Sequence, residues 1–153
     1  MVNKIIFGIG SNLGDRELFL NKAKQELIEN LELKNSKTSK ILQNKALLLE
    51  NSPLSWDIDF FNIAFSGEIN LEKFPPLEIL KIAKKIENQI GRINRGKWGP
   101  REIDIDILAI DNLQFSYDNI LQIPHQELFN RDFFMDKFQE IEPEIFHILK
   151  NNK

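Results

Sequence analysis

The order of helix and strand patterns limits the possible folds of this 153-residue chain more than any other feature. Apolar residues recur at helical spacing over 15–31, and again from Pro75 to a stop at Gly91. Between these predicted helices lie two strand patterns, over 33–42 and 60–65, with no third helix. A doubly wound parallel sheet requires a crossover helix between such strands, so this order argues against a dinucleotide-binding fold.

Apolar strand patterns also precede the first helix, over 5–9, and follow the second, over 103–110. The complete order is strand, helix, strand, strand, helix, strand. It predicts an α+β fold of the ferredoxin-like βαββαβ class, with a largely antiparallel sheet and helices packed on it. A C-terminal helical extension is expected over 125–149, with a break at Pro143. We expect a single domain over residues 1–153.

Two connecting segments complete the predicted layout. Ser66 and Gly67 are expected to form a turn after the strand over 60–65. Residues 44–58 form a long connection, and loops of this length inside a compact domain are usually functional or mobile.

The composition excludes several classes of function. The chain has no Cys, which excludes a disulfide framework, a thiolate nucleophile and an Fe–S site. Its 20 Lys+Arg against 23 Asp+Glu give a net charge of −3, which argues against nucleic-acid binding through backbone charge. Signal-peptide and membrane-span patterns are not visible in the sequence. We therefore expect a cytoplasmic protein without a nucleic-acid or membrane partner.

Asp104 and Asp106 give the clearest chemical signal. Residues i and i+2 of a strand face the same side, so both carboxylates point together while Ile103, Ile105 and Ile107 point the other way. Two adjacent carboxylates repel each other unless a cation lies between them, and their hard oxygen atoms suit Mg²⁺. A solvated strand face is the alternative interpretation of so short a motif.

Basic residues precede this strand closely, at Arg92, Arg95, Lys97 and Arg101. They form a local excess of positive charge in a chain whose net charge is negative. Because guanidinium groups bind phosphate oxygens bidentately, cations beside a two-carboxylate metal site predict a polyphosphate site. A merely basic surface loop is the alternative.

A longer motif contains these residues and resembles the signature of the 6-hydroxymethyl-7,8-dihydropterin pyrophosphokinases. The motif is Lys97-Trp98-Gly99-Pro100-Arg101-Glu102-Ile103-Asp104-Ile105-Asp106-Ile107-Leu108. Further blocks follow the order of that family at 9–15, at 60–62, at Ile86-Glu87 with Gly91-Arg92, and at Ile123-Pro124-His125 with 130–133. The resemblance covers essentially the whole chain.

The resemblance implies a reaction of folate biosynthesis. ATP, as co-substrate, would transfer an intact diphosphate to the hydroxymethyl group of 6-hydroxymethyl-7,8-dihydropterin, and AMP would be released. Asp104 and Asp106 would bind two Mg²⁺ ions that clamp the attacking and leaving oxygens.

The resemblance also assigns site residues. The catalytic residues would be Arg92, Arg101, Asp104 and Asp106. ATP would contact Glu87, Arg92, Trp98, Arg101, Ile107, His125 and Arg131. The pterin ring would stack between Phe60 and Phe133 and pair its pyrimidine edge with the Asn62 amide, with further contacts from Trp98 and Asp104.

Two departures from the usual family pattern matter. The interval from Arg92 to Trp98 is one residue shorter, which leaves Asn94 and Arg95 as alternatives for a second loop arginine. Residues 46–57 resemble the variant that is fused to dihydropteroate synthase. A synthase domain, in cis or in trans, is therefore a candidate partner, and the chain is either a free-standing enzyme or one domain of a longer protein.

Two other classes of function fit parts of the same pattern. A two-metal nucleotidyltransferase of ferredoxin-like fold also uses strand carboxylates, but it would transfer AMP. A non-catalytic ferredoxin-like module could bind RNA through its sheet, although this needs a basic face with paired strand aromatics.

Overall fold

The computed structural model describes residues 2–45, 48–93, 95 and 100–153. Over these residues the main sheet contains β1 (Asn3–Ser11), β2 (Lys34–Thr38), β3 (Leu42–Asn44), β4 (Phe60–Ile69) and β5 (Asp104–Ile110). A separate hairpin consists of β6 (Phe115–Tyr117) and β7 (Leu121–Ile123). The helices are α1 (Arg16–Leu31), α2 (Pro76–Ile90), α3 (Asp132–Ile141) and α4 (Pro143–Asn151), and a 3-10 turn covers Leu54–Trp56.

The main sheet has the order β2-β4-β1-β5, with β3 also paired to β4. Every pair is antiparallel, and β1 lies between β4 and β5. Along the described chain β5 is an edge strand of this sheet. The predicted α+β fold and its βαββαβ order are confirmed.

The helices cover both faces of the sheet. On one face, α1 and α2 pack their apolar residues against Ile5, Phe7 and Ile9 of β1. On the other face, α3 and α4 pack against Ile6 of β1 and Leu108 of β5. Alternation along β1 therefore supplies both cores. Within the described ranges, no helix is long and apolar enough to cross a membrane.

The predicted turn at Ser66 and Gly67 is wrong, because both residues lie inside β4. The Ser66 hydroxyl donates a hydrogen bond to Glu142 at 2.7 Å, which satisfies a polar group inside the fold. A Cβ atom on Gly67 would lie 3.1 Å from the Leu33 Cβ atom. The small residue allows close packing of the strand rather than a reversal of the chain.

Two other predicted boundaries need correction. The strand expected over 33–42 is divided into β2 and β3 at Ser39, whose Oγ accepts the Ala64 N–H at 2.9 Å. The helical extension begins at Asp132 rather than at His125, because residues 126–130 form turns. The break at Pro143 is confirmed.

Candidate active site

The side chains with reactive or ligand-binding chemistry meet where β1 ends and β5 begins. Gly10 of β1 pairs with Asn62 of β4 on one side and with Asp104 of β5 on the other. A Cβ atom at position 10 would clash with the side-chain oxygen of Asn62. Glycine at this position therefore leaves room for the Asn62 amide.

A first cavity opens over this end of the sheet. Its lining residues are Gly8, Ile9, Gly10, Asn44, Lys45, Phe60, Asn62, Arg101, Asp104, Asp106, Arg131, Phe133 and Phe134. Four residues that the resemblance assigns to the pterin, Phe60, Asn62, Asp104 and Phe133, are thus brought to one cavity. The fifth, Trp98, lies outside the described residues.

Both carboxylates of β5 face this cavity, as the strand alternation predicted. Asp104 and Asp106 line it, whereas Ile103, Ile105 and Ile107 are buried in the core on the opposite face. Because the alternation is a local property of the strand, sequence alone was enough to predict this arrangement.

Asp104 lies at the centre of a cluster of charges. Its two oxygens accept hydrogen bonds from Arg92 Nη1 at 3.1 Å and from Arg101 Nη1 at 2.9 Å. Burial raises the pKa of Asp104 and the Asp106 carboxylate raises it further, against the opposing effect of the arginines. A further cation in the cavity would stabilise the ionised pair.

The two carboxylates fit a Mg²⁺ site. Mg²⁺ commonly keeps several waters and is bound by one or two carboxylates together with substrate phosphates. In the part of the chain that the structure describes, no group of three or more Asp, Glu or His side chains is placed to hold a metal ion. Asp104 and Asp106 would hold Mg²⁺ with water and phosphate completing its shell.

A second cavity lies between α2, β5 and the β6–β7 hairpin. Its lining residues are Leu80, Lys84, Ile105, Asp106, Ile107, Asp118, Asn119, Ile120, Leu121, Gln122, His125 and Gln126. Ile107 and His125, which the resemblance assigns to ATP, are both among them. Asp106 lines both cavities, so a ligand that occupies both would pass this carboxylate.

His125 presents a hydrogen-bond donor toward Asp106. Its Nδ1 accepts the Glu127 N–H at 3.0 Å, which assigns the proton of the neutral ring to Nε2. That Nε2 lies 3.7 Å from Asp106 Oδ1. The ring also packs edge-on against Phe134, with the ring centroids 5.2 Å apart. The imidazole is therefore held with its donor on the cavity side.

Comparison with known proteins identifies the family. The family model described as 7,8-dihydro-6-hydroxymethylpterin-pyrophosphokinase (HPPK) matches residues 6–143. The chain belongs to the HPPK family. The resemblance drawn from the sequence motifs is confirmed.

Individual relatives agree with the HPPK assignment. The 2-amino-4-hydroxy-6-hydroxymethyldihydropteridine pyrophosphokinase of Aquifex aeolicus is 39% identical over 143 residues, covering 94% of this chain and 82% of that protein. The folate synthesis bifunctional protein of Chlamydia muridarum is 39% identical over 142 residues, covering 92% of this chain and 31% of that protein. The chain thus spans about a third of the bifunctional relatives' length.

Solved structures support the HPPK fold. Plasmodium falciparum HPPK-DHPS with pteroate aligns with a TM-score of 0.65 and 14% identity, over 99% of this chain and 42% of that chain. At this identity the likeness supports the fold alone.

Arg95 and Glu102 of this HPPK chain form a bidentate ion pair. Arg95 donates to both carboxylate oxygens of Glu102, at 2.9 Å and 2.7 Å. Glu102 also accepts the Ile93 N–H at 3.2 Å. Arg95, one alternative for the second loop arginine, is thus bound to Glu102, and Asn94 lies outside the described residues.

Sequence reasoning assigned no site role to Asn12, Asn44, Lys45 or Phe134. Asn44 and Lys45 line the first cavity, and Asn44 Oδ1 accepts a hydrogen bond from Asn62 Nδ2. Asn12 Oδ1 accepts the Arg101 N–H at 2.8 Å. Asn12 belongs to a motif that the sequence had already marked. Asn44 and Lys45 begin the long connection over 44–58, which was expected to be functional or mobile, but no individual residue of it was singled out.

Proposed function

We propose that this chain transfers diphosphate from ATP to the hydroxymethyl group of 6-hydroxymethyl-7,8-dihydropterin and releases AMP. One observation carries the proposal: three aromatic rings and two amides share a cavity with two carboxylates and two arginines. A flat heterocycle and a polyphosphate could react where these groups meet. Membership of the HPPK family supports this chemistry over the alternatives.

The pterin would occupy the first cavity. Phe60 of β4 and Phe133 of α3 both line it and would stack on a flat ring. The Asn62 amide offers a donor and an acceptor in one plane, which suits the pyrimidine edge of a pterin. Asp104 lies on the same lining, so the hydroxymethyl group would point toward the carboxylate pair.

ATP would extend from the second cavity into the first. Its nucleoside would lie beside Ile107, and its phosphates would pass Asp106 and His125. The Nε2–H of His125 would donate to a phosphate oxygen. Arg101 and Arg131 line the first cavity and would bind the transferred diphosphate. Trp98 stays a predicted contact of both substrates.

Two Mg²⁺ ions would bind at Asp104 and Asp106. When bound, the ions supply charge neutralisation and alignment of the phosphate oxygens. Arg92 and Arg101 both donate hydrogen bonds to Asp104. They would exchange this carboxylate for phosphate oxygens once its charge is neutralised. The charge that develops on the transferred group would then be met by guanidinium groups.

Product analysis tests the proposal directly. The protein is incubated with Mg²⁺, ATP and the reduced pterin alcohol, and all products are measured by mass. AMP together with the pterin diphosphate is expected. Pyrophosphate together with an adenylylated pterin would instead indicate the nucleotidyltransferase alternative, and the absence of both products would contradict the proposal.

A dihydropteroate synthase is the proposed partner domain. One solved relative is named HPPK-DHPS, and curated relatives are named folate synthesis bifunctional proteins. For this chain we propose only the diphosphate transfer, and the synthase activity would belong to the partner domain. A cytoplasmic location remains part of the proposal, because the reaction consumes ATP.

A further inference from the structure

Glu87 is a buried carboxylate, and both of its oxygens bind groups of the candidate site. It lies near the C-terminal end of α2, and the residue is 2% exposed. Oε2 accepts the Ile105 N–H at 2.7 Å, and Oε1 accepts from Arg92 Nη1 at 2.9 Å. Burial raises the pKa of Glu87. A buried carboxylate needs such hydrogen bonds, because an unpaired charge inside a protein is strongly destabilising.

The bond to Ile105 holds the strand at the carboxylate pair. Ile105 stands between Asp104 and Asp106, and β5 is an edge strand in the described sheet. An edge strand leaves alternate N–H groups without a partner strand. The Glu87 carboxylate accepts the Ile105 N–H in place of a partner strand. Helix α2 thereby fixes the backbone from which both aspartates project.

The bond to Arg92 orients a guanidinium group. The same Nη1 atom that donates to Glu87 also lies 3.1 Å from Asp104 Oδ1. Arg92 is therefore held between one buried carboxylate and one that lines the first cavity. If Arg92 exchanges Asp104 for a phosphate oxygen, Glu87 still retains it at the site.

We propose that Glu87 is a positioning residue that sets the spacing of Asp104 and Asp106 and retains Arg92 beside them. The inference rests on the proposed function, because it assigns roles to the aspartates and to Arg92 in diphosphate transfer. It replaces the expected direct contact between Glu87 and ATP. In the described linings of both cavities Glu87 does not occur, and its oxygens are occupied by the chain itself.

The strand-holding role is tested without any activity measurement. Amide hydrogen exchange of Ile105 is followed by NMR in the parent, in Glu87→Gln and in Glu87→Ala. Gln retains an oxygen that can accept the Ile105 N–H, whereas Ala does not. Exchange at Ile105 should therefore be accelerated in Glu87→Ala and remain near the parent rate in Glu87→Gln. Equal exchange in all three proteins would overturn the strand-holding role.

The Arg92 role is tested by a double-mutant cycle on turnover. Glu87→Gln removes the charge that retains Arg92, and we expect kcat to fall about 10- to 100-fold, as for other residues that support a catalytic group. In an Arg92→Ala background the same substitution should change kcat by less than about twofold, because its target is already gone. An equal fall of kcat on Glu87→Gln in the parent and in the Arg92→Ala background would overturn this role.

Glu142→Gln is the matched control. Glu142 is also a buried glutamate, with Ser66, Lys4 and Lys37 as partners, and it lies at the opposite end of β1. Its substitution should lower the free energy of unfolding and leave kcat within about twofold of the parent. An equal fall of kcat in Glu142→Gln and Glu87→Gln would show general destabilisation and would overturn the positioning role.

Binding of AMP without Mg²⁺ separates positioning from direct nucleotide contact. A positioning residue leaves AMP affinity unchanged in Glu87→Ala, whereas a direct contact to the nucleoside weakens it. A parent protein that makes no pterin diphosphate would refute the proposed function itself. The exchange measurement at Ile105 would still decide whether Glu87 holds the strand.

Discussion

Carboxylates lie near both ends of β1, Glu142 beside Lys4 at the far end and Asp104 beside Gly10 at the site end, but their partners differ. At the far end, Glu142 Oε2 accepts the Ser66 hydroxyl at 2.7 Å, and Oε1 lies 3.3 Å from Lys4 Nζ and 3.6 Å from Lys37 Nζ. The Glu142 carboxylate thus has one hydroxyl group and two ammonium groups as partners. This cluster joins the α3–α4 junction to the sheet and needs nothing from outside the chain.

At the site end, two carboxylates of one strand share a cavity. Asp104 has two arginine partners, yet its pKa remains raised, first by burial and then by Asp106. Charges whose partners all come from the chain itself stabilise the fold. Charges that face a cavity together are available to a cation and to phosphate.

The largest expected effect comes from removing one carboxylate at the site end. Asp104→Asn keeps the size of the side chain but removes a charge and a metal ligand. Turnover should fall by about 10²- to 10³-fold, which is typical for losing a group that stabilises developing charge. The rate of AMP release with both substrates measures this effect. Turnover within tenfold of the parent would contradict the metal assignment.

The next effect concerns the pterin subsite. Asn62→Ala would leave the pterin edge unpaired, which costs about 1–3 kcal/mol of binding free energy. Phe60→Leu keeps apolar volume and loses mainly ring stacking, about 0.5–1.5 kcal/mol. Calorimetric titration should show a larger loss of pterin affinity for Asn62→Ala, with ATP affinity near the parent value in both variants. If Asn62→Ala weakens ATP equally, the pterin does not lie on β4 as proposed.

The far end should affect stability alone. Ser66→Ala leaves Oε2 of the buried Glu142 without its hydroxyl donor and should lower the free energy of unfolding by about 1–3 kcal/mol. Turnover under native conditions should not change. Denaturant unfolding and AMP release, measured on the same preparation, check both statements. A substantial loss of turnover would mean that the two ends are coupled.

The contrast also explains what the sequence could predict. Strand alternation is local, so the shared direction of Asp104 and Asp106 was predictable. Ser66 and Gly67 resembled a turn because their roles depend on Glu142 and Leu33, which lie far away in the chain. Glu87 is similar, because its partner Ile105 is 18 residues away on another element. A contact between residues on distant elements leaves no local pattern in the sequence.

The smallest effect is a pH-dependent change in stability at the site end, without Mg²⁺. Because the pKa of Asp104 is raised by burial and by Asp106, its ionised form is less stable in the folded chain than in the unfolded chain. This penalty is absent below the unfolded pKa of about 3.9, grows as pH rises through the folded pKa, and is complete above it.

Asp104→Asn removes that penalty along with the activity. In urea, the variant should be at least as stable as the parent at about pH 8, and any advantage should vanish at about pH 3, where the parent carboxyl is protonated. Ser66→Ala has the opposite profile, since it weakens the fold and spares turnover. If Asp104→Asn is less stable than the parent at about pH 8, the pairs with Arg92 and Arg101 outweigh burial. The charges at the site end would then stabilise the fold through their own ion pairs, as those at the far end do.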